Sequence, residues 1–487
     1  MCGVLGLMSK EGVATTLFHG LNQLQHRGQD AAGILSYDCD SNELHLFKNC
    51  GLVTDVFQNS SIERLKGSWG IGHVRYTTSG AGEIAEAQPF LFNFKGISIA
   101  LAYNGNIINA NVLRTKLERR GITFNTASDG ELLLKYLAYH YKDSSSPIDS
   151  LRSAVETVYK HVKGAYSVIG LIKGKGFFAF RDPRGIRPLV YAHNGDGIAH
   201  AVASETHPLH FLGYDHCEDV QAGKLLFISP DLSLEKIDIM TQVPMHCSFE
   251  YVYFAKPNAQ LDGSEAYSAR YKLGYHLAKQ FKRLKLDADL VIPVPNTSLP
   301  AAMAVAHELG LPLHEGLNRK DHAGRTFIMP TQDMRERAVS NKLAPVASVF
   351  KGKRVLIVDD SIVRGTVSKR IICLARQNGA RAVFFASTFP PIKNPCYYGI
   401  DMPAPEQLVA RGRSAEQIEA EIGADCVIYN TIDELKDSIG HDKLCLACLD
   451  GRYPTDIQEA KTMRETREAG LSLAETLEDL LENKALR

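Results

Sequence analysis

The sequence predicts a protein of mixed α and β structure with at least two domains, the second of them in the α/β class. The 487 residues are 45% hydrophobic and 23% charged, an ordinary globular composition with room for two or three domains. In the second half, Val355–Val358 is a continuous apolar run, typical of a strand buried on both faces of a parallel sheet. A polar loop follows and leads into a predicted helix over Val367–Asn378. The first half carries strand-like stretches in which polar residues stand beside glycines.

Charge and cysteine content exclude several classes of protein. The formal net charge is +0, which gives no reason to expect nucleic acid or an anionic membrane as a partner. No apolar run approaches the ~20 residues that span a bilayer, and the first residues lack the layout of a signal peptide. Ten cysteines in so long a chain are not the disulfide framework of a small secreted domain. We therefore expect a cytoplasmic protein.

The first chemical signal is Cys2, which directly follows the initiator methionine. Removal of that methionine, the only maturation step we expect, would leave a thiol and a free α-amino group on one residue. An amine with a pKa near ~8 can take up the thiol proton and generate the attacking thiolate. Cys2 could equally be an ordinary buried cysteine near a terminus, so other residues must decide.

Later segments contain the remaining groups that acyl transfer requires, namely an oxyanion hole and groups that bind the charged end of a substrate. Asn104 and Gly105 can form the hole with a side-chain amide and a backbone N–H. Arg75 can bind a carboxylate through two hydrogen bonds, and Asp129 can pair with an ammonium. A free amino acid carries both a carboxylate and an ammonium group, so a single substrate could bind to both side chains. Taken singly the signals are weak, since Asn-Gly is commonly a turn and a lone charge is commonly a surface group.

Together, five segments closely resemble the class II glutamine amidotransferase domain, over about residues 2–235. In chain order they are CGVLG, LQHRGQDAAG, GHVRYTTSG, YNGN and SDGE. The resemblance implies an α+β N-terminal-nucleophile fold (αββα), with two stacked antiparallel sheets between helices. It implies Cys2 as the nucleophile and Asn104 and Gly105 as the oxyanion hole. It also implies Arg75 and Asp129 as the glutamine ligands.

One local departure is Tyr103, which stands where this family commonly has a histidine ahead of Asn-Gly-Asn. The oxyanion donors are kept, so we expect a tuned activity and not a lost one. We interpret His26 and His73 as structural histidines and not as catalytic bases.

The second chemical signal is the dodecamer Val355–Thr366, VLIVDDSIVRGT. Ligands of open α/β sheets bind beyond the carboxyl ends of the strands, and a loop that enters a helix N-terminus can cradle phosphate. Asp359 and Asp360 can bind ribose hydroxyls or Mg²⁺. A P-loop is the alternative, but the chain contains no GxxxxGK[ST].

The dodecamer resembles the phosphoribosylpyrophosphate (PRPP) signature of the type I phosphoribosyltransferases, which have an α/β fold. The resemblance implies that PRPP is bound by residues of this loop: Asp359, Asp360, Ser361, Arg364, Gly365 and Thr366. It implies that Asp359 and Asp360 bind Mg²⁺ together with Ser298, which lies in a loop within Val291–Ala302. Residues 324–342 resemble the flexible loop that closes over PRPP and excludes water. In that loop we expect three basic side chains to meet the diphosphate: Arg335, Arg337 and Lys342.

Both resemblances meet in one family, the glutamine PRPP amidotransferases, and extend from Cys2 to about Pro454. The family implies that ammonia from glutamine displaces diphosphate from PRPP, giving phosphoribosylamine, glutamate and diphosphate in the first committed step of purine nucleotide synthesis. It also implies passage of ammonia between the two sites, inhibition by purine nucleotides, and a homotetramer or homodimer.

Two departures remove positive charge near the expected phosphates, at Asp321 in Lys320–Ala323 and at Ser340 with Asn341. They bring nucleotide inhibition and PRPP affinity into question more than the reaction. The alternative function is a catalytically silent paralogue that binds PRPP or purine nucleotides as a regulator. The intact Cys2 and Asp359 argue against it.

Four cysteines have contexts of interest: Cys247 in HCSFEYVYFAKP, Cys396 in NPCYYGID, and Cys445 and Cys448 in CLACLDGRYP. A lone CxxC fits a metal site or a buried or redox pair equally well. The contexts resemble the iron–sulfur branch of the family, which implies a 4Fe-4S cluster with a structural or oxygen-sensing role. An all-cysteine zinc site is the chemical alternative. The remaining cysteines are expected to be packing residues: Cys39, Cys50, Cys217, Cys373 and Cys426.

No linker rich in proline, glycine or serine marks a domain boundary. We expect a glutaminase domain over residues 2–240, a phosphoribosyltransferase domain over 241–460 and a helical tail over 461–487. Leucines at helical spacing predict that the tail is an amphipathic helix which packs on the protein or on a neighbouring subunit: Leu471, Leu473, Leu477, Leu480 and Leu481.

Overall fold

The computed structural model describes residues 1–76, 83–195, 197–240, 242–319, 343–402 and 404–468, together with 476, 480 and 481. The described residues of the first half form thirteen strands: β1 (Gly3–Met8), β2 (Ala31–Asp38), β3 (Glu43–Cys50), β4 (Trp69–Arg75), β5 (Phe90–Phe94), β6 (Ile97–Ile107), β7 (Gly164–Ile172), β8 (Gly176–Arg181), β9 (Val190–His193), β10 (His200–Ala203), β11 (His216–Asp219), β12 (Lys224–Ile228) and β13 (Leu234–Asp238). Its helices are α1 (Ala14–Gln23), α2 (Val53–Val56), α3 (Asn59–Ile62), α4 (Ala110–Glu118), α5 (Asp129–His140), α6 (Pro147–His161) and α7 (Thr206–Phe211).

These strands form two antiparallel sheets that stack face to face. One has seven strands in the order β11-β9-β10-β1-β4-β2-β3, and the other has six in the order β13-β12-β8-β7-β6-β5. The apolar layer between them contains Ile71 from the first sheet and Ile169 from the second. Helices α1, α2 and α7 cover the outer face of the first sheet, and α4, α5 and α6 cover the second. The αββα fold predicted for this half is confirmed.

The second half is built on a parallel sheet. Its strands are β14 (His246–Cys247), β15 (Gln260–Leu261), β16 (Ser264–Glu265), β17 (Leu290–Pro293), β18 (Leu317–Arg319), β19 (Leu343–Pro345), β20 (Arg354–Asp359), β21 (Ala382–Ser387), β22 (Cys426–Tyr429) and β23 (Leu444–Cys445). Its helices are α8 (Ala266–Arg283), α9 (Leu299–Leu309), α10 (Ala347–Phe350), α11 (Thr366–Gln377), α12 (Ala415–Ile422), α13 (Ile432–Ile439), α14 (Ala447–Asp450) and α15 (Gln458–Glu468). A π-helix covers Glu250–Phe254.

The four-stranded sheet has the order β17-β20-β21-β22, with all neighbours parallel. Helices α8 and α9 cover one face, and α11 and α12 cover the other. Burial on both faces explains why β20 contains the continuous apolar run Val355–Val358, since neither face of the strand meets water. The predicted α/β fold and the predicted helix over Val367–Asn378 are confirmed, with one residue of offset in α11.

One apolar core crosses from the first half to the second. It contains Leu5 and Leu21 of the first half together with Phe249, Phe389 and Leu449 of the second. The two halves are therefore packed against each other through side chains that neither could bury alone. Of the predicted tail helix, the structure describes α15 and the helical Leu480 and Leu481, and Leu481 is buried. The other tail leucines, at 471, 473 and 477, lie outside the described residues.

No helix in the described part of the chain is long and apolar enough to cross a membrane.

Candidate active sites and cysteine cluster

Cys2 lies one residue before β1, the central strand of the first sheet. Gly3 pairs with Val74 of β4, which brings Cys2 beside Arg75 and Tyr76. The Cys2 thiol donates to the Tyr76 carbonyl at 3.7 Å, and the Cys2 backbone nitrogen donates to Oδ1 of Asn104 at 3.3 Å. Burial raises the pKa of the Cys2 thiol, against the opposing effects of the N-terminal charge and Arg75. A thiol with a raised pKa needs a base to form the attacking thiolate.

Asn104 and Gly105 are placed by β6, whose register sets Asn104 opposite Ser167 of β7. The Asn104 side chain is buried, and its Nδ2 atom has no hydrogen-bond partner among the residues that the structure describes. Leaving a buried amide donor unpaired costs free energy, so the site is short of one acceptor. At Gly105 a Cβ would lie 2.0 Å from the Ala165 carbonyl oxygen, and only glycine fits. The two predicted oxyanion donors are thus together and next to Cys2.

Asp129, the first residue of α5, is held by the same strand. Its carboxylate accepts from the Ile107 backbone N–H at 3.0 Å. The Tyr103 hydroxyl donates to the Gly105 carbonyl at 3.4 Å and also lies within hydrogen-bonding reach of the Asp129 carboxylate. Burial raises the pKa of the Asp129 carboxyl, and the Tyr103 hydrogen bond opposes that rise. Tyr103, noted from the sequence as a departure, therefore contacts the predicted ammonium ligand directly.

The predicted carboxylate ligand Arg75 is buried and forms an ion pair with Glu86 at 2.7 Å. Sequence reasoning missed Glu86, because no motif contains it. His73 is fully buried, and burial lowers its pKa to about 3, which keeps it neutral. His26 contacts Glu205 at 2.9 Å. His26 thus has a carboxylate partner, whereas both ring nitrogens of the buried His73 have no hydrogen-bond partner among the described residues, and the structural role of the two histidines stays a prediction.

A buried ion-pair network beneath Cys2 was also missed. The Arg27 guanidinium contacts Glu205 at 2.7 Å and Glu250, from the second half, at 3.2 Å. Burial opposes ionisation of Glu205, but the charges of Arg27 and then His26 outweigh it and hold the Glu205 pKa below its usual range. Arg27 and Glu205 lie in the quoted segments LQHRG and ASE, so the segments were visible but the pairing was not.

The second site forms at the carboxyl end of β20. Asp359 ends the strand and Asp360 follows, both of them buried. Burial, and then the charge of Asp360, raise the pKa of Asp359 well above its usual range, while burial raises that of Asp360. A bound cation would favour the ionised form of both buried carboxylates and so oppose the rise in their pKa values. Gly365, at φ +78°, makes the turn into the N-terminus of α11.

The loop after β17 approaches the same carboxylates. The Thr297 hydroxyl donates to Asp360 at 2.5 Å, and the Ser361 hydroxyl donates to the other oxygen at 2.7 Å. Ser298, the residue predicted for Mg²⁺, instead donates to the Val294 carbonyl within its own loop. The sequence analysis did not single out Thr297, and the predicted role of Ser298 toward Mg²⁺ stays a prediction. Several residues of the sequence-based expectations lie outside the described residues: Arg335, Arg337, Lys342, Asp321 and Ser340.

The two sites have Tyr76 as a common neighbour. Its carbonyl accepts from the Cys2 thiol. Burial raises the pKa of its phenol, with further contributions from Asp401 and Tyr253 and an opposing one from Arg364 of the second site. Burial, and then Asp360, raise the pKa of Tyr253 to about 12. Tyr76 contacts the nucleophile and Tyr253 lies within electrostatic range of the aspartate pair, and the two tyrosines are within electrostatic range of each other.

The four singled-out cysteines come together at the junction of the two halves. Cys247 ends β14 and pairs in register with Cys445, the last residue of β23. Cys448 lies in α14, and Cys396 lies in the loop after β21. Burial raises the pKa of Cys247 to about 12, with the nearby Cys396 contributing, and it raises the pKa values of Cys445 and Cys448 too. The buried Arg187 lies within electrostatic range of three of these sulfurs.

Four cysteine sulfurs are the donor set of both an iron–sulfur cluster and an all-cysteine zinc site. A tetrahedral zinc site needs four sulfurs at about 2.3 Å from one point. No group of three or more cysteine, histidine or acidic side chains in the described ranges could hold one metal ion in that way. In a 4Fe-4S cluster each thiolate binds a different iron, so the sulfurs lie further apart. The positive charge of the Arg187 guanidinium would offset part of the negative charge of the thiolates that bind such a cluster.

Comparisons with known proteins agree with this arrangement. A glutamine amidotransferase domain model matches residues 73–210, and a phosphoribosyl transferase domain model matches residues 265–396. The amidophosphoribosyltransferase of Methanothermobacter thermautotrophicus is 41% identical over 472 residues, which cover 95% of this chain and 97% of that protein. The Escherichia coli amidophosphoribosyltransferase is 42% identical over 449 residues, which cover 90% and 88%.

A solved structure gives the same picture. The glutamine PRPP amidotransferase from B. subtilis, complexed with ADP and GMP, superimposes with a TM-score of 0.84 at 38% identity. The match covers 94% of this chain and 98% of that one.

Proposed function

The chain belongs to the amidophosphoribosyltransferase family, and from that premise we propose how its residues divide the reaction. The enzyme transfers glutamine-derived ammonia to PRPP, releasing glutamate and diphosphate and forming phosphoribosylamine. We assign glutamine hydrolysis to the site at Cys2 and PRPP chemistry to the site at Asp359 and Asp360. The observation that carries the assignment is the unpaired Asn104 Nδ2 donor beside the Cys2 thiol.

Glutamine hydrolysis begins with the Cys2 thiol. After removal of Met1, the thiol proton passes to the Cys2 α-amine, and the sulfur forms a bond to the amide carbon of glutamine. The developing oxyanion is stabilised by Asn104 Nδ2 and the Gly105 N–H. The carbon–nitrogen bond then breaks, and the amine returns the proton to the departing ammonia. Water cleaves the thioester to give glutamate and the free thiol.

Glutamine is held through its two charges. Arg75 binds the α-carboxylate and Asp129 binds the α-ammonium, with Glu86 and Tyr103 fixing their orientation. A buried carboxylate with a raised pKa binds a cation strongly once it is ionised, because water competes poorly there. This supports Asp129 as the group that selects an α-amino acid.

At the second site, ammonia attacks C1 of the ribose and diphosphate leaves. Asp359 and Asp360 would hold the ribose hydroxyls and Mg²⁺. Proteins commonly bind this ion through one or two carboxylates together with the phosphates of the substrate. When bound, Mg²⁺ neutralises charge on the leaving diphosphate. Ser361, Arg364, Gly365 and Thr366 cradle the phosphate at the N-terminus of α11. The predicted roles of Ser298 and of the basic residues at 335, 337 and 342 stay predictions.

We also propose a 4Fe-4S cluster at the four junction cysteines, supported by the burial of Cys247 and Cys445 and by the nearby positive charge of Arg187. A cluster there would tie three separate parts of the second half together, which fits a structural or oxygen-sensing role. None of the ten cysteines forms a disulfide in this structure, which suits the reducing cytoplasm proposed for the enzyme.

The proposed domains are residues 2–240 and 241–460, followed by a tail from 461. This division is supported by β13, which still pairs within the first half, and by β14, which pairs with β23 of the second. Purine nucleotides are the proposed inhibitors, since the B. subtilis relative was solved with ADP and GMP. A dimer or tetramer is proposed on the family resemblance.

The test is an assay of anaerobically purified protein with glutamine, PRPP and Mg²⁺. Glutamate and diphosphate should appear in equal amounts, and both should depend on PRPP. The visible absorption spectrum and the iron content of the same sample test the cluster. A folded, iron-loaded protein that releases neither product would instead favour the silent paralogue.

A further inference from the structure

The loop that follows Cys396 lies against the strand that holds the oxyanion donors. Asn106, two residues after Asn104 on β6, donates from its side-chain amide to the Tyr397 carbonyl at 3.0 Å. Gly399 has φ +94°, and a Cβ there would lie 2.9 Å from the Gly105 carbonyl oxygen. Residues 397–399 of the second half therefore contact β6 at the two positions that follow Asn104.

A second route joins the same loop to the same strand. The buried Arg187 donates from Nε to the Tyr398 carbonyl at 2.7 Å, and its Nη2 atom donates to that oxygen as well. The Arg187 backbone carbonyl accepts from the Ser167 hydroxyl at 3.0 Å, and Ser167 lies opposite Asn104 in the pairing of β6 with β7. Two independent sets of contacts thus determine where this strand lies relative to the loop.

The other end of the loop is held by the junction cysteines. The Tyr398 backbone N–H donates to the Cys396 sulfur at 3.3 Å. The backbone N–H groups of Lys393 and Asn394 donate to the Cys448 carbonyl at 2.9 and 3.0 Å. A group that binds these sulfurs therefore holds the loop on both sides of Cys396, and residues 397–399 lie between that group and β6.

We propose that residues 397–399 are a positioning segment through which the group bound at the four junction cysteines sets the placement of the Asn104 and Gly105 oxyanion donors. The proposal rests on the proposed function, because it assumes that these donors stabilise the oxyanion of glutamine hydrolysis. Such donors must lie within about 2.7–3.1 Å of the developing charge, so small displacements of β6 weaken them.

The sharpest variant is Gly399→Ala, which pushes a methyl group against the Gly105 carbonyl. Gly121→Ala is the matched control, since Gly121 has φ +83° and a Cβ there meets nothing within 4 Å. Both variants carry the cost of alanine at positive φ, but only one touches the oxyanion strand. Asn106→Ala, paired with Asn111→Ala on the exposed side of α4, tests the contact from the first half.

Two labelling reactions at Cys2 separate positioning from general disruption. A diazoketone analogue of glutamine places its carbonyl in the oxyanion hole, whereas iodoacetamide alkylates the thiol without using the hole. We expect Gly399→Ala to slow diazoketone labelling and the kcat of glutamine hydrolysis by roughly tenfold. Iodoacetamide labelling, ammonia-dependent synthesis and the KM for glutamine should stay within about twofold. Unchanged diazoketone labelling in both Gly399→Ala and Asn106→Ala would overturn the proposal.

The role of the bound group is tested by labelling wild-type protein before and after removal of its iron with oxidant and chelator. Diazoketone labelling should slow in the stripped protein, while iodoacetamide labelling and circular dichroism stay unchanged. Equal diazoketone rates, or a full rate in protein isolated without iron, would overturn the coupling to the bound group. Failure of the proposed function looks different, because wild-type protein would then release no glutamate in the presence of PRPP.

Discussion

The backbone nitrogen of Cys2 donates to Oδ1 of Asn104 at 3.3 Å, and this contact determines which end of the Asn104 amide is left for a substrate. Because Oδ1 is occupied, Nδ2 is the atom that remains, and it is buried without a partner among the described residues. Once Met1 is removed, the same Cys2 nitrogen is the amine proposed as the base. Asn104 would then orient the base with one atom and stabilise the oxyanion with the other.

Replacing the nucleophile should separate the two half-reactions. We expect Cys2→Ala to abolish glutamine-dependent synthesis and to leave ammonia-dependent synthesis of phosphoribosylamine nearly unchanged, because ammonia enters after the thioester step. Product formation with glutamine and with ammonium salt, measured side by side, checks this. Loss of both activities in a folded variant would contradict the proposed division between the sites.

Removing the oxyanion donor should affect the chemical step more than binding. We expect Asn104→Ala to lower the kcat of glutamine hydrolysis by about 10²–10³-fold with little change in KM, because the donor acts mainly on charge that develops in the transition state. Steady-state kinetics of glutamate release check this, with Asn111→Ala as the control. A raised KM at an unchanged kcat would mean that Asn104 binds ground-state glutamine instead.

Tyr103→Phe should weaken glutamine binding in a pH-dependent manner. The Tyr103 hydrogen bond opposes the rise in the Asp129 pKa, so its loss raises that pKa further. Asp129 must be ionised to bind an ammonium, and the acid limb of kcat/KM for glutamine should therefore move to higher pH. Well above that limb we expect the KM to rise about tenfold. Identical pH profiles for variant and wild type would exclude this role.

At the second site, Asp360→Asn should give the complementary phenotype to Cys2→Ala. Synthesis from glutamine and from ammonia should both fall, because each needs the carboxylate that holds the ribose and Mg²⁺. Diazoketone labelling of Cys2 should persist, which shows that the first site is intact. The measurement is diphosphate release over a range of Mg²⁺ concentrations. Full ammonia-dependent synthesis in the variant would exclude Asp360 from the PRPP site.

The buried Arg27–Glu205 pair should dominate local stability. We expect Glu205→Gln to lower the free energy of unfolding by about 3–5 kcal/mol at neutral pH, because it leaves the buried Arg27 charge poorly compensated. The Glu205 pKa is depressed in the folded protein, so the stabilisation is present above the unfolded value of 4.5 and is lost as the pH falls below it. Urea unfolding at several pH values should therefore show the two proteins converging at low pH. A constant difference would argue against the ion pair as its cause.

The fold and the central residues of both sites could be predicted from the sequence because their signals are local. The run before Asp359 and the glycine-flanked segments around Cys2 and Asn104 each combine backbone requirement and chemistry within about ten residues. Gly105 illustrates this, since the close approach of the Ala165 carbonyl excludes any side chain at that position.

Contacts between distant parts of the chain could not be predicted in this way. Asn106 and Tyr397 are separated by 291 residues, and the acceptor is a backbone carbonyl, which every residue carries. The contact of Thr297 with Asp360 has a similar cause, because the hydroxyls of Thr297 and Ser298 are equivalent in the sequence until the loop geometry is known. Arg27 with Glu205 is a buried pair joined across 178 residues.

The length of β6 has a consequence for how this chain can vary. Asn104 and Asn106 lie on one face of the strand, and Tyr103 lies on the other, because side chains alternate. One inserted or deleted residue between Ile97 and Tyr103 would exchange the two faces, sending the asparagines toward Asp129 and the tyrosine toward Cys2. Related sequences should therefore keep the spacing between Ile97 and the asparagines of this strand unchanged.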